Sequence, residues 1–224
     1  MAEENLAAEI ADQLRRDILR GVLPPGAKVK ERDNAAGRGV SRTPMREAIH
    51  RLATEGLIVL HPSRSPRVAN PTFDEVADQI LVLKTLEELS ADLACTRATE
   101  ADLAQIRELH DRMVALYESA DSLDLFEVDM GFHAAIAAAS HNASLAETHG
   151  AFLARLWRVR YLAAHQRRNR DRARAHHQAI LSALEARDRA AVAAALEAHL
   201  GHLANDIRPI LESERATAPG KART

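Results

Sequence analysis

Cysteine, aromatic residues and long apolar runs are scarce in this chain, and each scarcity excludes something. Cys95 is the single cysteine among 224 residues. It rules out an internal disulfide and fits a reducing cytosol, so a cytoplasmic location is expected. Aromatics make up 3% of the chain while Ala, Leu and Arg abound, a composition that suits helices better than sheets. No apolar stretch approaches the roughly 20 residues needed to span a bilayer. The opening "MAEENLAAEI" is acidic and lacks the apolar segment of a signal peptide, so no membrane is expected as a partner. Net charge is only −2, but it is uneven. Residues 1–70 hold 12 Lys/Arg against 9 Asp/Glu, and the remainder holds 18 against 23. A net cationic first third points to an anion-binding module followed by a different one.

Spacing divides the chain further. Leu6, Ile10, Leu14 and Ile18 repeat at four-residue steps, the pattern of an amphipathic helix that Gly21 and "LPPGA" stop. "KERDNAAGRG" is a short second helix broken at Gly39. Ser41 or Thr43 caps a third, in which Met45, Ile49, Leu52 and Ala53 share one face and Gly56 follows the end. "LIVL", "HPSRSP" and "RVAN" then read as a β-hairpin. Three helices and a hairpin within residues 1–70 form a winged helix-turn-helix. Residues 71–75 read as a linker, with Thr72 and Glu75 as a capping box. Apolar residues at three- and four-residue spacing then continue through segments 76–96, 100–120, 122–139, 144–165, 170–186 and 188–211, an all-helical bundle of about six helices in a domain spanning 76–212. Residues 213–224 read as a disordered tail. The fold class is mainly α.

The stretch "GVSRTPMREAIHRLATEGL" crowds cations and hydroxyls onto the first turn of a helix. That turn carries the positive end of the helix dipole, where carboxylates would be expected. It is suited to meet an anion. Arg42 and Arg46, four apart, lie opposite the Met45/Ile49/Leu52 face and can each grip guanine O6 and N7. Ser41 and Thr43 can bond phosphates, and Arg64 and Arg67 of the hairpin reach a flanking backbone or minor groove. Arg38, just before the turn, is grouped with them. These residues, within "LRRDILRGVLPPGAKVKE…GVSRTPMREAIHRLATEGLI", resemble the DNA-binding domain of the GntR family of bacterial transcription regulators. The resemblance implies that Arg42, Thr43 and Arg46 contact an operator and that the hairpin is the wing. One departure is Asn34-Ala35-Ala36-Gly37-Arg38-Gly39, where the family writes Leu-Ala-x-x-Leu-Gly. Two polar residues replace apolar ones, and a loosely packed second helix is expected.

The helical part carries a second constellation. "FEVDMGFHAAIAAASHN" puts Asp129 and His133 four apart on one helix face. His177 shares a face with Ile180, Leu181 and Leu184, with His176 one step off that stripe, and His199 shares one with Val192, Leu196 and Leu203. Burying these groups without a partner costs several kcal/mol, and one divalent cation would satisfy all four. Three imidazoles and a carboxylate suit Zn²⁺, with Ni²⁺ or Mn²⁺ as alternatives. Arg160, on the face of Leu153, Leu156 and Trp157, is the candidate effector contact, whereas "QRRNRDRAR" reads as a solvated helix start. Residues 73–211 are similar to the FCD ligand-sensing bundle of the FadR branch of the family, through "LEELSADLACTRATEADLAQI", "DMGFHAAIAAASHN" and "HHQAILSALEARDRAAVAAALEAHL". The resemblance implies that Asp129, His133, His177 and His199 are the metal ligands, and favours the metal-containing over the acyl-CoA-binding form. The family commonly has an Arg near Leu83.

Together these readings predict a homodimeric regulator that binds a palindromic double-stranded operator as a repressor and senses a small organic acid. Two alternatives stand beside it. One is a metalloenzyme that hydrolyses its substrate at the Asp/His site, although no general base lies beside the His set. The other is a regulator for which the metal itself is the signal.

Overall fold

The computed structural model describes residues 2–117, 122–164 and 167–217, with side chains for 5–117, 123–164 and 171–215. The chain forms two compact units, Met1–Pro71 and Thr72–Thr224.

In the first unit α1 (Ala2–Leu19), α2 (Glu31–Arg38) and α3 (Arg42–Thr54) precede a two-stranded sheet, β1 (Ile58–Val59) and β2 (Arg67–Val68). The strands are antiparallel, pairing Ile58 with Val68 and Val59 with Arg67. Leu14, Ile18, Met45, Ile49 and Leu52 are all buried in one cluster that α1 and α3 share. Each such side chain contributes roughly 1.5–3 kcal/mol by leaving water. Arg15 of α1 clamps Glu55, at the end of α3, with Nη2 2.7 Å from one carboxylate oxygen. Gly39 ends α2 in the left-handed region at φ 65°, a conformation that costs a Cβ-bearing residue more than glycine. Ser41 occupies the N-cap of α3, but its hydroxyl makes no capping bond.

Ala35 is the one buried residue of α2, in keeping with the loose packing expected of it, and the polar positions find partners instead. Asn34 donates to the Lys30 carbonyl and accepts from Arg38, whose other nitrogen lies 2.5 Å from Asp17 of α1. A polar tie to α1 stands where the family places apolar contacts, beside the buried Ala35.

The described residues of the second unit form helices joined by short turns. It comprises α4 (Phe73–Arg97), α5 (Glu100–Leu116), α6 (Ser122–Ala139), α7 (Ala143–Arg155), α8 (Trp157–Ala164), α9 (Arg167–Glu185), α10 (Arg189–Leu200) and α11 (Leu203–Thr217). Thr72 opens α4 with a capping box to Glu75, Thr99 opens α5 with one to Asp102, and the Asn142 and Asp188 side chains cap α7 and α10. The spacing suggests six helices, whereas the described residues form eight because two of the segments bend. Leu156 turns the chain between α7 and α8 while staying fully buried, so the apolar rhythm runs on through the break. Gly201 and His202 separate α10 from α11, again without disturbing the stripe of Leu200, Ile207 and Leu211. Residues 213–217, expected in a disordered tail, belong to α11, where Glu214 pairs with Arg158. The rest of that tail, 218–224, lies outside the described residues.

Candidate functional sites

On the first unit, Ser41, Arg42, Thr43 and Arg46 are all exposed on the side of α3 opposite its buried Met45 and Ile49. Arg42 and Arg46 converge on one carboxylate, Glu31 of α2, at 3.8 and 3.3 Å. Arg64 is exposed in the turn between β1 and β2. Arg67 is exposed too, and its guanidinium donates to the Gly26 carbonyl at 2.7 Å. Arg38 departs from the reading that grouped it with these, since its guanidinium is directed to Asp17 and Asn34. A contact to DNA would compete with that pair. What remains is an exposed helix start bearing two arginines and two hydroxyls, beside a short hairpin with two more arginines. That arrangement suits a polyanion.

On the second unit, α6, α9 and α10 bring Asp129, His133, His177 and His199 together. The ligand atoms of the three imidazoles all lie within 4.8 Å of one another. His133 and His199 approach through their Nε2 atoms at 3.3 Å. Asp129 Oδ1 lies 3.4 Å from His133 Nε2 and 3.0 Å from His177 Nε2. Ligands about 2.0–2.1 Å from one tetrahedral ion stand about 3.3–3.4 Å apart, close to the 3.0, 3.3 and 3.4 Å separations of these pairs. Asp129 Oδ1 and His177 Nε2 are buried without a hydrogen-bond partner despite facing each other. Orphaned acceptors aimed at a common point fit a divalent cation. Burial, reinforced by the neighbouring imidazoles, pushes His199 well below the ordinary histidine range. Burial also lowers His177, more than Asp129 raises it. Both rings are therefore held neutral, the form that ligates a metal.

The sequence reading missed a second layer. Glu87 of α4 is 3% exposed, with Oε2 2.7 Å from His133 Nδ1 and Oε1 2.9 Å from Arg160 Nη1. A carboxylate behind the far nitrogen of a ligating histidine fixes which nitrogen faces the metal. Burial alone would raise the Glu87 carboxyl, but His133 and Arg160 hold it well below the usual range. Against burial, Glu87 raises His133. His149 of α7 is buried too, its Nε2 3.7 Å from the same carboxylate. The signal was available, since Glu87 falls on the stripe of Leu83, Ser90, Ala91 and Ala94, and His149 lies between Leu145 and Leu153.

Arg160 is where the sequence suggested. It is buried, and it lines a cavity of about 70 Å³ together with Asp129 and His199. Leu83, at the family's arginine position, is 1% exposed in the core. "QRRNRDRAR" differs from its reading as a solvated start in one respect, because Arg172 lines the same cavity and pairs with Asp206 of α11. The side chains of 166–170 lie outside the described residues.

Comparison with known proteins agrees with this layout. The profile described as bacterial regulatory proteins, gntR family, matches residues 6–68, and the FCD domain profile matches 79–202. The chain is 30% identical over 198 residues to the HTH-type transcriptional repressor RspR of Escherichia coli K12, covering 88% of this chain and 86% of that one. It is 30% identical to the Nta operon transcriptional regulator of Aminobacter aminovorans, covering 89% and 96%. Among solved structures, E. coli McbR/YncC superposes with a TM-score of 0.74 at 22% identity, over 94% of this chain and 98% of that one. A GntR regulator from Rhodococcus sp. RHA1 also gives 0.74, at 23% identity over 91% and 97%. These are transcription regulators and not enzymes, so the hydrolase alternative loses its footing. With an exposed arginine-bearing helix and wing ahead of an FCD bundle, the chain belongs to the GntR family of bacterial transcription regulators.

Proposed function

We propose that this regulator is a homodimeric, cytoplasmic repressor whose helical unit holds a divalent cation and senses a small organic acid. One observation carries the reading: four donor atoms from three helices converge at metal-ligand spacing, and a cavity opens beside Asp129 and His199. Asp129, His133, His177 and His199 would hold the ion, with zinc favoured by the N/O donor set and nickel or manganese as alternatives. The bound ion supplies a Lewis-acidic centre for a carboxylate. Arg160, fixed by Glu87, presents a guanidinium to the same cavity.

Arg42, Thr43 and Arg46 read the operator, while Ser41, Arg64 and Arg67 contact its backbone or minor groove. Arg38 is secondary because Asp17 holds it. One recognition helix reads one half-site, so a palindromic operator calls for a dimer. The exposed Leu81, Val82 and Leu89 of α4 offer an apolar face for self-association. The acid shifts the population of bundle packings, and so the geometry of the paired recognition helices.

The test is binding of a duplex from the protein's own promoter, measured with zinc, with a chelator, and with zinc plus candidate acids. Acid-dependent release that needs zinc supports the reading. A response to zinc alone, with no acid effect, favours a metal sensor instead. Binding indifferent to both overturns the sensing proposal and leaves the DNA-binding assignment in place.

A further inference from the structure

A buried imidazole outside the donor set stands where an apolar side chain is expected. His149 lies between Leu145 and Leu153 on the inward stripe of α7 and is buried with them. Among the described residues, neither of its ring nitrogens has a hydrogen-bond partner. Burying a polar group in that state is costly, and a leucine at the same place on the stripe would avoid the cost. What the ring does face is Glu87. Its Nε2 stands 3.7 Å from Oε1, too far for a hydrogen bond and close enough for a charge–dipole contact in a low-dielectric interior.

Four helices meet at that carboxylate. From α4, Glu87 Oε2 reaches His133 Nδ1 of α6 at 2.7 Å. Oε1 accepts from Arg160 Nη1 of α8 at 2.9 Å, while His149 of α7 approaches the same Oε1. The carboxylate is thus divided, one oxygen to each bonded partner. A guanidinium favours another arrangement, in which its fork takes both oxygens through two parallel bonds. The terminal torsion of a glutamate is broad, so rotation toward Arg160 meets little intrinsic resistance. Such a rotation would draw Oε2 away from His133 and leave that ring without its outer carboxylate. An N–H dipole on His149 opposes the rotation, because it favours the negative oxygen where Oε1 now lies.

We propose that His149 is a positioning residue that keeps the Glu87 carboxylate divided between His133 and Arg160. It acts through Glu87, whose bond to Nδ1 leaves Nε2 of His133 to face the other donors. This rests on the metal reading above and extends the layer behind the donors to a fourth helix. It also accounts for an imidazole on a stripe where leucine would pack without orphaned nitrogens.

The experiment compares full-length wild type, His149→Leu and His149→Gln, and repeats the leucine substitution in a Glu87→Gln background. Two quantities are read: the melting temperature of the zinc-free protein, and zinc affinity by competition with a chromophoric chelator. Leucine removes both the dipole and the orphaned nitrogens. The zinc-free His149→Leu protein should therefore melt at or above the wild-type temperature. Its zinc affinity should fall by about 3–10-fold, less than the ~10–100-fold lost with an outer partner itself. His149→Gln should stay within about twofold of wild type, since its amide N–H can face Oε1 in place of the ring. In the Glu87→Gln background the leucine substitution should leave zinc affinity unchanged, because no carboxylate remains to be divided. Wild-type zinc affinity in His149→Leu, equal losses with Leu and Gln, or the same loss in the Glu87→Gln background overturns the positioning role and leaves the cage standing. A melting temperature that falls in step with zinc affinity marks a packing role and overturns it too. Absence of zinc binding by the wild type overturns the cage itself, and this role with it.

Discussion

Single side chains carry the two proposed functions. Arg42 and Arg46 are each more than half exposed, and their ion pairs to Glu31 lie at the surface, where such pairs contribute little to stability. Replacing either with Ala should leave folding and metal content unchanged. Operator affinity should fall by about 1–3 kcal/mol, the discrimination carried by one bidentate arginine. Fluorescence anisotropy with a promoter duplex, alongside a thermal melt, checks both halves; wild-type affinity in both variants would remove them from the reading set. Glu87 is the opposite case, buried between His133 and Arg160. Glu87→Gln keeps the shape and removes the charge. Zinc affinity should drop by about 10–100-fold, the usual effect of losing an outer carboxylate behind a metal-bound histidine. Competition against a chromophoric chelator measures it, and an unchanged affinity would mean that Glu87 serves packing alone.

Helix termini show how sequence and structure connect at the next scale. Asp102 closes the capping box of α5, accepting from the Thr99 hydroxyl and backbone N–H at 2.7 Å each, and lies 2.8 Å from His141 Nε2. The Thr99 hydroxyl, the Thr99 amide and His141 together lower the Asp102 carboxyl to about 2. An unfolded Asp titrates near about 3.9. The depressed folded value means that the contribution is complete above about pH 4 and is lost as pH falls toward about 2. The stability gap between wild type and Asp102→Asn should therefore narrow between about pH 5 and pH 3, which urea melts at the two values would detect. A gap that stays constant would show that the carboxylate charge plays no part. Such caps were legible beforehand because Thr99, Asn142 and Asp188 are the residue types that satisfy free N–H groups. The donor set was legible too, since Asp129 and His133 at four-residue spacing and the inward stripes of His177 and His199 identify a face without coordinates. Bends were not. Leu156 and the Gly201–His202 joint redirect the chain while the apolar rhythm continues, and periodicity reports burial rather than axis direction. Arg172 escaped for a related reason: a cation in a polar run reads as solvated until its partner, 34 residues away, is folded against it.

At the level of the whole molecule, the question is how a modest helix-turn-helix attains useful selectivity. One recognition helix with the two arginines proposed to read bases would distinguish only a few base pairs. Two copies on one palindrome add their binding free energies, less the cost of association. On the proposed dimer, self-association is part of the DNA-binding mechanism rather than a separate property. Leu81 is 65% exposed and Leu89 46%, eight residues apart on α4 with Val82 beside them. Exposed leucines in such a row are costly on a monomer and natural on a self-complementary face. Leu81→Glu combined with Leu89→Glu should therefore yield a folded monomer by sedimentation, since neither side chain supports the core. Affinity for the full palindrome should collapse toward that for an isolated half-site, while half-site binding itself stays near the wild-type value. The salt dependence should fall in parallel, because a single copy neutralises about half as many phosphates. If the double variant sediments as a dimer and keeps full operator affinity, the α4 face is not the interface. If it sediments as a monomer and still binds the palindrome as wild type does, pairing of recognition helices is not what gives this regulator its affinity.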